Sequence, residues 1–161
     1  MPKIFLREAT EQDIPEIVGV IHAGFDQYRG QLDPPSGAHN ETIETIRAKL
    51  NRGGAGLAIV DGQIIGCVLF EPEDDHIYLG RLAVLPAYRQ NGIGSKLMAH
   101  AESQARKLGY ARVRLGVRLV LKENQAYFQN LGYRIVNYEK HPGHDEPTFA
   151  DLEKDVVLEH V

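Results

Sequence analysis

The sequence predicts a single-domain α/β fold. Strand-like apolar runs alternate with amphipathic helical segments along the whole chain. The runs at 76–85 and 111–119 flank one helical segment, 93–108, which is the pattern of a βαβ unit with parallel strands and a right-handed crossover. Asp61-Gly62 joins two further apolar runs as a hairpin turn does. A chain of 161 residues suits one domain over 1–161 and can bury a substantial core.

The elements follow in order. Residues 3–8 read as a strand. Thr10 is placed to cap a helix over about 11–24, with Asp13 at the reciprocal third position and Ile14, Ile17, Val18 and Ile21 on the apolar face. A polar loop at 25–40 carries Tyr28, Gly30, Pro34, Pro35 and Gly37. A second helix over about 41–51 stops at Gly53-Gly54, and the hairpin strands run over 55–61 and 63–70. Residues 76–85 are apolar at nearly every position, which predicts a strand buried on both faces. Helix 93–108 sets Ile93, Leu97, Met98, Ala101, Ala105 and Leu108 on one side and stops at Gly109. Strand 111–119 alternates Val113, Leu115 and Val117 with Arg112, Arg114, Gly116 and Arg118, whose arginines read as a solvated or acid-paired face. A short helix over about 123–131 ends at Gly132, and strands at 133–139 and 148–157 enclose a polar loop at 140–147.

Composition excludes several classes. With 43% hydrophobic and 25% charged residues, the chain has an ordinary globular make-up. It has no apolar run long enough to cross a bilayer, and Met1 to Arg7 lack a signal-peptide core, so no membrane partner and a cytoplasmic location are expected. The lone Cys67 rules out an internal disulfide framework and reads as a small buried hydrophobe. A net charge of −4 gives no support for nucleic-acid binding and is compatible with a cationic partner. His141 and His144 have no evident third ligand, so no metal is expected.

The most informative segment runs from Leu82 to Ser95. An apolar strand enters a glycine-containing turn, and the turn opens a helix. The first N–H groups of a helix have no intrahelical partner, and the helix dipole adds positive potential there. Gly92 and Gly94 let a ligand approach the backbone, and Arg89 adds a planar cation. This is a seat for a phosphate or pyrophosphate. It is not a P-loop, because Gly94 is followed by Ser95, nor a dinucleotide fingerprint, because position 97 is leucine.

The spacing Arg89-x-x-Gly92-x-Gly94, preceded by Leu82-x-Val84-x-Pro86-x-Tyr88, resembles the coenzyme A loop of the GCN5-related N-acetyltransferases. Asn124-Gln125-Ala126-Tyr127-Phe128, leading to Leu131-Gly132-Tyr133, is similar to a later segment of that family, and Leu6 to Asp13 is similar to its opening. The resemblance spans roughly 3–157. It implies the GNAT fold: a mixed, twisted sheet of about seven strands with about four helices, whose central parallel strands, 76–85 and 111–119, splay around acetyl-CoA. It further implies that Leu82, Ala83 and Val84 bind the pantetheine through their backbone, that Gln90, Asn91, Gly92, Ile93, Gly94 and Ser95 hold the pyrophosphate, and that Asn124 reaches the pantetheine arm, flanked by Tyr127 and Phe128.

The reaction implied is attack by a primary amine, on a small molecule or a peptide, on the thioester in a ternary complex. A backbone N–H near Leu82 or Ala83, at a bulge of the splayed strand, would stabilise the oxyanion. Glu71, ending a strand beside the central one, is the first candidate for the general base, and His76 the second. Many members of the family carry a tyrosine five residues before the final aromatic, as general acid. Here that position is Phe128, and the adjacent Tyr127 points about 100° away on a helix. Phe25, Tyr28, Pro34 and His141 are expected to line the acceptor pocket. A non-catalytic acyl-CoA-binding sensor, or an acyltransferase of longer acyl-CoA, would share the same loop. The family often forms dimers, so a homodimer is compatible with this reading.

Overall fold

The structure is a computed structural model that describes residues 2–156, so position 157 of the last expected strand lies outside the described residues. In chain order the elements are β1 (Phe5–Glu8), α1 (Ile14–Phe25), α2 (Ile43–Arg52), β2 (Gly54–Val60), β3 (Gln63–Pro72), β4 (Ile77–Val84), α3 (Ile93–Lys107), β5 (Arg112–Arg118), α4 (Lys122–Asn130), β6 (Arg134–Glu139) and β7 (Phe149–Asp155). The strands form one sheet in the order β1-β2-β3-β4-β5-β7-β6. Every neighbouring pair is antiparallel except β4 and β5, which are parallel.

Local chemistry explains the boundaries. The Asp13 carboxylate accepts from the Thr10 N–H at 2.8 Å, and residues 11–13 form a 3-10 turn before α1 begins, so the regular helix starts later than the spacing suggests. Thr42 caps α2: its Oγ1 accepts from the Thr45 N–H at 3.2 Å, and its own N–H donates back to Thr45 Oγ1 at 2.8 Å. Asp61 and Gly62 both have positive φ, 50° and 77°, as the tight hairpin between β2 and β3 requires.

Helices cover both faces of the sheet. Ile14, Ile17 and Ile21 of α1 and Ile46 of α2 pack on Leu57, Ile64, Cys67 and Leu69. Leu97, Met98 and Ala101 of α3 pack on Val68, Ile77, Leu79 and Val113 from the other side. Each fully buried aliphatic side chain contributes about 1.5–3 kcal/mol. Burial pushes the Cys67 thiol up to about 12, so it stays a neutral core group. Among the described residues no helix is long and apolar enough to cross a membrane.

Two expectations are corrected. Strand β4 is not buried on both faces: Tyr78 is exposed, and Gly80, Arg81, Leu82 and Val84 are half-buried, because one side of the strand borders open space. Leu108 is 54% exposed, since it follows the last residue of α3 and turns away from the sheet.

Candidate active site

Strands β4 and β5 pair only at Ile77 with Val113 and Tyr78 with Arg114. Past those two rungs β4 still follows β3 as far as Val84, and β5 still follows β7 as far as Arg118. Their facing edges therefore have no partner strand, and a cavity of about 810 Å³ opens between them at the carboxyl end of the parallel pair. Leu79 to Val84 form one wall and Leu115 to Arg118 the other.

A β-bulge bends the first wall. Leu69 lies opposite Gly80 and Cys67 opposite Ala83, so one residue of β3 faces two of β4. The two are Arg81 and Leu82, opposite Val68, and the Arg81 φ of 53° is left-handed and unfavourable for a non-glycine residue. Arg81 Nε donates to Glu41 Oε2 at 2.7 Å. Glu41 is buried and also accepts from Thr45 Oγ1 at 2.7 Å and from Lys49. Burial alone would raise the Glu41 acid, but hydrogen bonds from Lys49, Arg81 and Thr45 outweigh it and hold the carboxyl at about 2. On the other side of the bulge, α1 approaches so closely that a Cβ on Gly24 would lie 2.8 Å from Ala83 Cβ.

Beyond β4 the chain turns at Pro86–Tyr88, passes Gln90 and Gly92 at φ of 66° and 73°, and enters α3. The first intrahelical bond runs from the Lys96 N–H to the Gly92 carbonyl, so the N–H groups of Ile93, Gly94 and Ser95 precede the ladder. Arg89 Nη2 donates to the Gly24 carbonyl at 3.0 Å and ties this loop to the end of α1. Gly94 is small for a second reason: a Cβ there would lie 3.1 Å from Tyr127 Oη. That hydroxyl is 2.9 Å from Ser95 Oγ, which links α4 to the first turn of α3. Phe128 also lines the cavity and stands edge-on to Tyr127 and to Tyr133, with ring centroids 5.1 and 6.2 Å away. Asn124 Nδ2 donates to Tyr28 Oη at 3.2 Å and joins α4 to the loop after α1.

The far end of the cavity is built from the loop after α1 and the loop before β7. Phe25 closes α1 and Tyr28 and Leu32 follow it in the first, His141 comes from the second and Phe149 opens β7, and Tyr78 and Arg118 also line the cavity. His141 Nδ1 is 2.5 Å from Thr148 Oγ1, and its ring lies 4.9 Å from that of Phe149. Burial, then the positive charge of Arg118 and the nearby His144, hold the His141 imidazolium below the usual histidine range.

Most residues singled out in the sequence meet in this cleft: Leu82, Ala83, Val84, Arg89, Gln90, Gly92, Ile93, Gly94, Ser95, Asn124, Tyr127 and Phe128, together with Phe25, Tyr28 and His141. Four do not line it. Glu71 sits at the end of β3, where Arg52 Nη2 meets its carboxylate at 3.3 Å. His76 precedes β4, with Nδ1 2.8 Å from Asp75 Oδ1. Pro34 contributes only its carbonyl, which accepts from Arg118 Nη1 at 2.7 Å. Asn91 turns its amide back onto the Tyr88 carbonyl at 3.1 Å. Sequence reasoning missed Tyr78, Arg81 and Arg118. The apolar run hid the first two, and strict alternation with Arg112 and Arg114 made the third look like part of a solvated face.

Comparison with known proteins agrees with this geometry. The sequence model described as the acetyltransferase (GNAT) family matches residues 19–133. The uncharacterized N-acetyltransferase YjgM of Escherichia coli (strain K12) is 28% identical over 139 residues, covering 83% of each chain. The amino-acid acetyltransferase of Mannheimia succiniciproducens is 29% identical over 142 residues, which are 85% of this chain but 28% of that protein. Among solved structures, the PaiA N-acetyltransferase of Thermoplasma acidophilum in complex with coenzyme A superposes with a TM-score of 0.80 at 20% identity, over 95% of this chain and 99% of that one. The ribosomal-protein-S18-alanine N-acetyltransferase of Escherichia coli gives 0.78 at 17% identity, over 98% and 97%.

Proposed function

Because the chain belongs to the GNAT acetyltransferase family and is an acetyl-CoA-dependent N-acetyltransferase, we propose that it acetylates a primary amine by direct attack in the cleft between β4 and β5. The observation that carries this reading is the cleft itself, formed where two parallel strands part beside a helix N-terminus.

The cleft fits coenzyme A. The N–H groups of Ile93, Gly94 and Ser95 have no partner among the described residues at the positive end of α3, and Gly92 faces open space, since a Cβ there would meet nothing within 4 Å. These groups, with Gln90 and Arg89, would hold the diphosphate. Leu85 donates its N–H to Ile65 on β3, so by strand alternation the N–H and C=O of Val84 face the side that β5 has left. Leu82, Ala83 and Val84 would hold the pantetheine along that edge, with Asn124, Tyr127 and Phe128 across from them. When bound, acetyl-CoA supplies an activated acetyl thioester.

The chain's own groups do the rest. The N–H at Leu82, next to the bulge, is the donor for the carbonyl oxygen; the kink at Arg81 supports this assignment. His141 is the base of choice. It lines the cleft, its ring is neutral at pH 7, and its Nε2 has no partner among the described residues. Glu71 and His76 are less suited, because their charged neighbours hold them outside the cleft. Tyr127 Oη, held by Ser95 Oγ, is the proton donor that α4 offers in place of Phe128.

Thermal unfolding with and without millimolar acetyl-CoA tests the reading. Ligand at a hundred times its Kd stabilises by about 2.7 kcal/mol, which shifts the midpoint by several degrees. The shift should vanish in Gly92→Glu, and thiol release should then identify productive amines. The absence of both a shift and thiol release with every amine would reject the proposal.

A further inference from the structure

The chain carries a net charge of −4, yet the acceptor end of its cleft is positive. The ionised side chains along the cavity are Arg81, Arg89, Arg118 and Glu123. Glu123 is exposed on the first turn of α4. Arg89 belongs to the loop before α3, and Arg81 is neutralised by Glu41.

Arg118 is different. Its neighbours on the same face of β5, Arg112 and Arg114, both reach Glu153, at 3.6 and 2.8 Å. Arg118 makes no ion pair among the described residues. Its Nη1 donates to the Pro34 carbonyl at 2.7 Å and its Nη2 to the Pro35 carbonyl at 3.4 Å. The acidic group whose field reaches it is Asp33, which is 91% exposed and meets His144 Nε2 at 3.6 Å. A guanidinium has five N–H donors, so three remain. The two carbonyls fix the plane of the fork without cancelling its charge. Partial burial weakens the hydration that would otherwise do so, and Arg118 lines the cavity beside Phe149, His141 and Tyr28. A half-buried, oriented and uncompensated guanidinium is a receptor for a planar anion, and a carboxylate fits its fork in two parallel hydrogen bonds.

We propose that Arg118 determines acceptor specificity, and that the acceptor is a small amine that also bears a carboxylate, an amino-acid-like zwitterion held on Arg118 with its amine toward the bulge at Arg81 and Leu82. This rests on the N-acetyltransferase reading above. The transfer is unchanged: the ammonium of the zwitterion first gives one proton to the base or to solvent, the nitrogen then bonds to the acetyl carbon, the thioester C–S bond breaks with its electron pair on sulfur, and the second proton lost by nitrogen balances the one gained by sulfur. The aromatic walls, Phe25, Tyr28 and Phe149, favour an apolar side chain on that acceptor.

The test compares carboxylated and decarboxylated partners as acceptors for the full chain at saturating acetyl-CoA, read by thiol release. Suitable pairs are phenylalanine with phenethylamine, and leucine with 3-methylbutylamine; a short peptide with a free N-terminus is added. In the best pair the carboxylated member should lead in kcat/KM by about 10- to 100-fold, the range expected for hydrogen bonds to a charged group. Arg118→Ala should collapse that ratio toward one through the acceptor KM, leaving the KM for acetyl-CoA within about twofold, and Arg118→Lys should restore part of it. A purely structural Arg118 would lower both members of a pair together, which overturns the proposal. So does a wild-type preference for the decarboxylated amine or for the peptide. If Arg118→Ala fails to fold because it loses Pro34 and Pro35, 3-phenylpropionate decides in the wild type: competition with the amine acceptor supports the proposal, and its absence sinks it. Acetyl-CoA stabilisation with acetylation of plain amines only would reject the carboxylate site alone. The absence of both stabilisation and thiol release would reject the N-acetyltransferase reading with it.

Discussion

Arg81 Nε lies 2.7 Å from Glu41 Oε2, and this ion pair clamps the left-handed residue of the β4 bulge to the loop before α2. A strained backbone persists only where its surroundings over-determine it. Glu41 does so while also collecting Lys49 and Thr45. Removing it leaves two cations facing a buried gap. Glu41→Ala should therefore cost about 3 kcal/mol, or roughly 6–12 °C in Tm for a domain of this size. It should also lower kcat, because the Leu82 N–H loses its aim. Arg81→Gly, which relieves the φ strain, should keep more of the activity than Arg81→Ala. Differential scanning calorimetry and steady-state kinetics on the three variants check this.

The same carboxylate sets a pH dependence. Glu41 is held at about 2 in the fold, against an ordinary value of 4.5. A depressed acid contributes stability that is complete above the unfolded value and is lost as pH falls through the folded one. Stability from Glu41 should thus fade between about pH 4.5 and 2. Asp13, held at about 2 chiefly by its hydrogen bond to Arg7, fades over a similar window. Urea titrations of wild type and Glu41→Gln at stepped pH should show the gap between them narrowing only in that window. A gap of constant size would rule out the linkage.

His141 should set the acidic limb of the kinetics. Its imidazolium titrates below the usual 6.5, so kcat/KM for the amine should rise with pH through that lowered value. His141→Gln should lose about 100-fold in kcat/KM and abolish that limb. Glu71→Gln and His76→Ala should stay within a few-fold of wild type. A large loss in either, with His141→Gln unaffected, would move the base out of the cleft.

Tyr127 and Phe128 test how the departing thiolate is protonated. Tyr127→Phe should lower kcat by about 10-fold or more if its hydroxyl delivers the proton, since a well-placed general acid contributes at least that much. Ser95→Ala, which removes the 2.9 Å partner, should do less. Gly94→Ala pushes a Cβ to 3.1 Å from the same hydroxyl and should raise the KM for acetyl-CoA. Single-turnover rates with a good amine separate the two effects.

Much of the fold could be read along the chain because its cues are local. Asp61-Gly62 makes a hairpin through its own φ preferences, Thr10 and Asp13 meet across three residues at a helix start, and the spacing of Leu97, Met98 and Ala101 states which side of α3 is buried. The corner proposed to hold the cofactor shared this property. Gly92, Gly94 and Ser95 form one strand-turn-helix corner, so a continuous stretch of sequence describes it.

The surroundings of Arg118, proposed above as the acceptor site, are long-range, and only the tertiary structure shows them. Arg118 has no ion pair among the described residues because Glu153 reaches Arg112 and Arg114 but not the end of β5, while Pro34 and Pro35 arrive from a loop more than eighty residues earlier. Glu71 looked available as a base until Arg52 folded against it. The overall charge of −4 pointed to a cationic partner, whereas the charges that face the cleft point to an anionic group. Sequence determined which segments become strand, helix and the glycine turn that opens α3, since those depend on neighbours a few residues away. Which charges are cancelled and which are left facing the ligand depends on through-space pairing between distant segments, and so belongs to the folded chain alone.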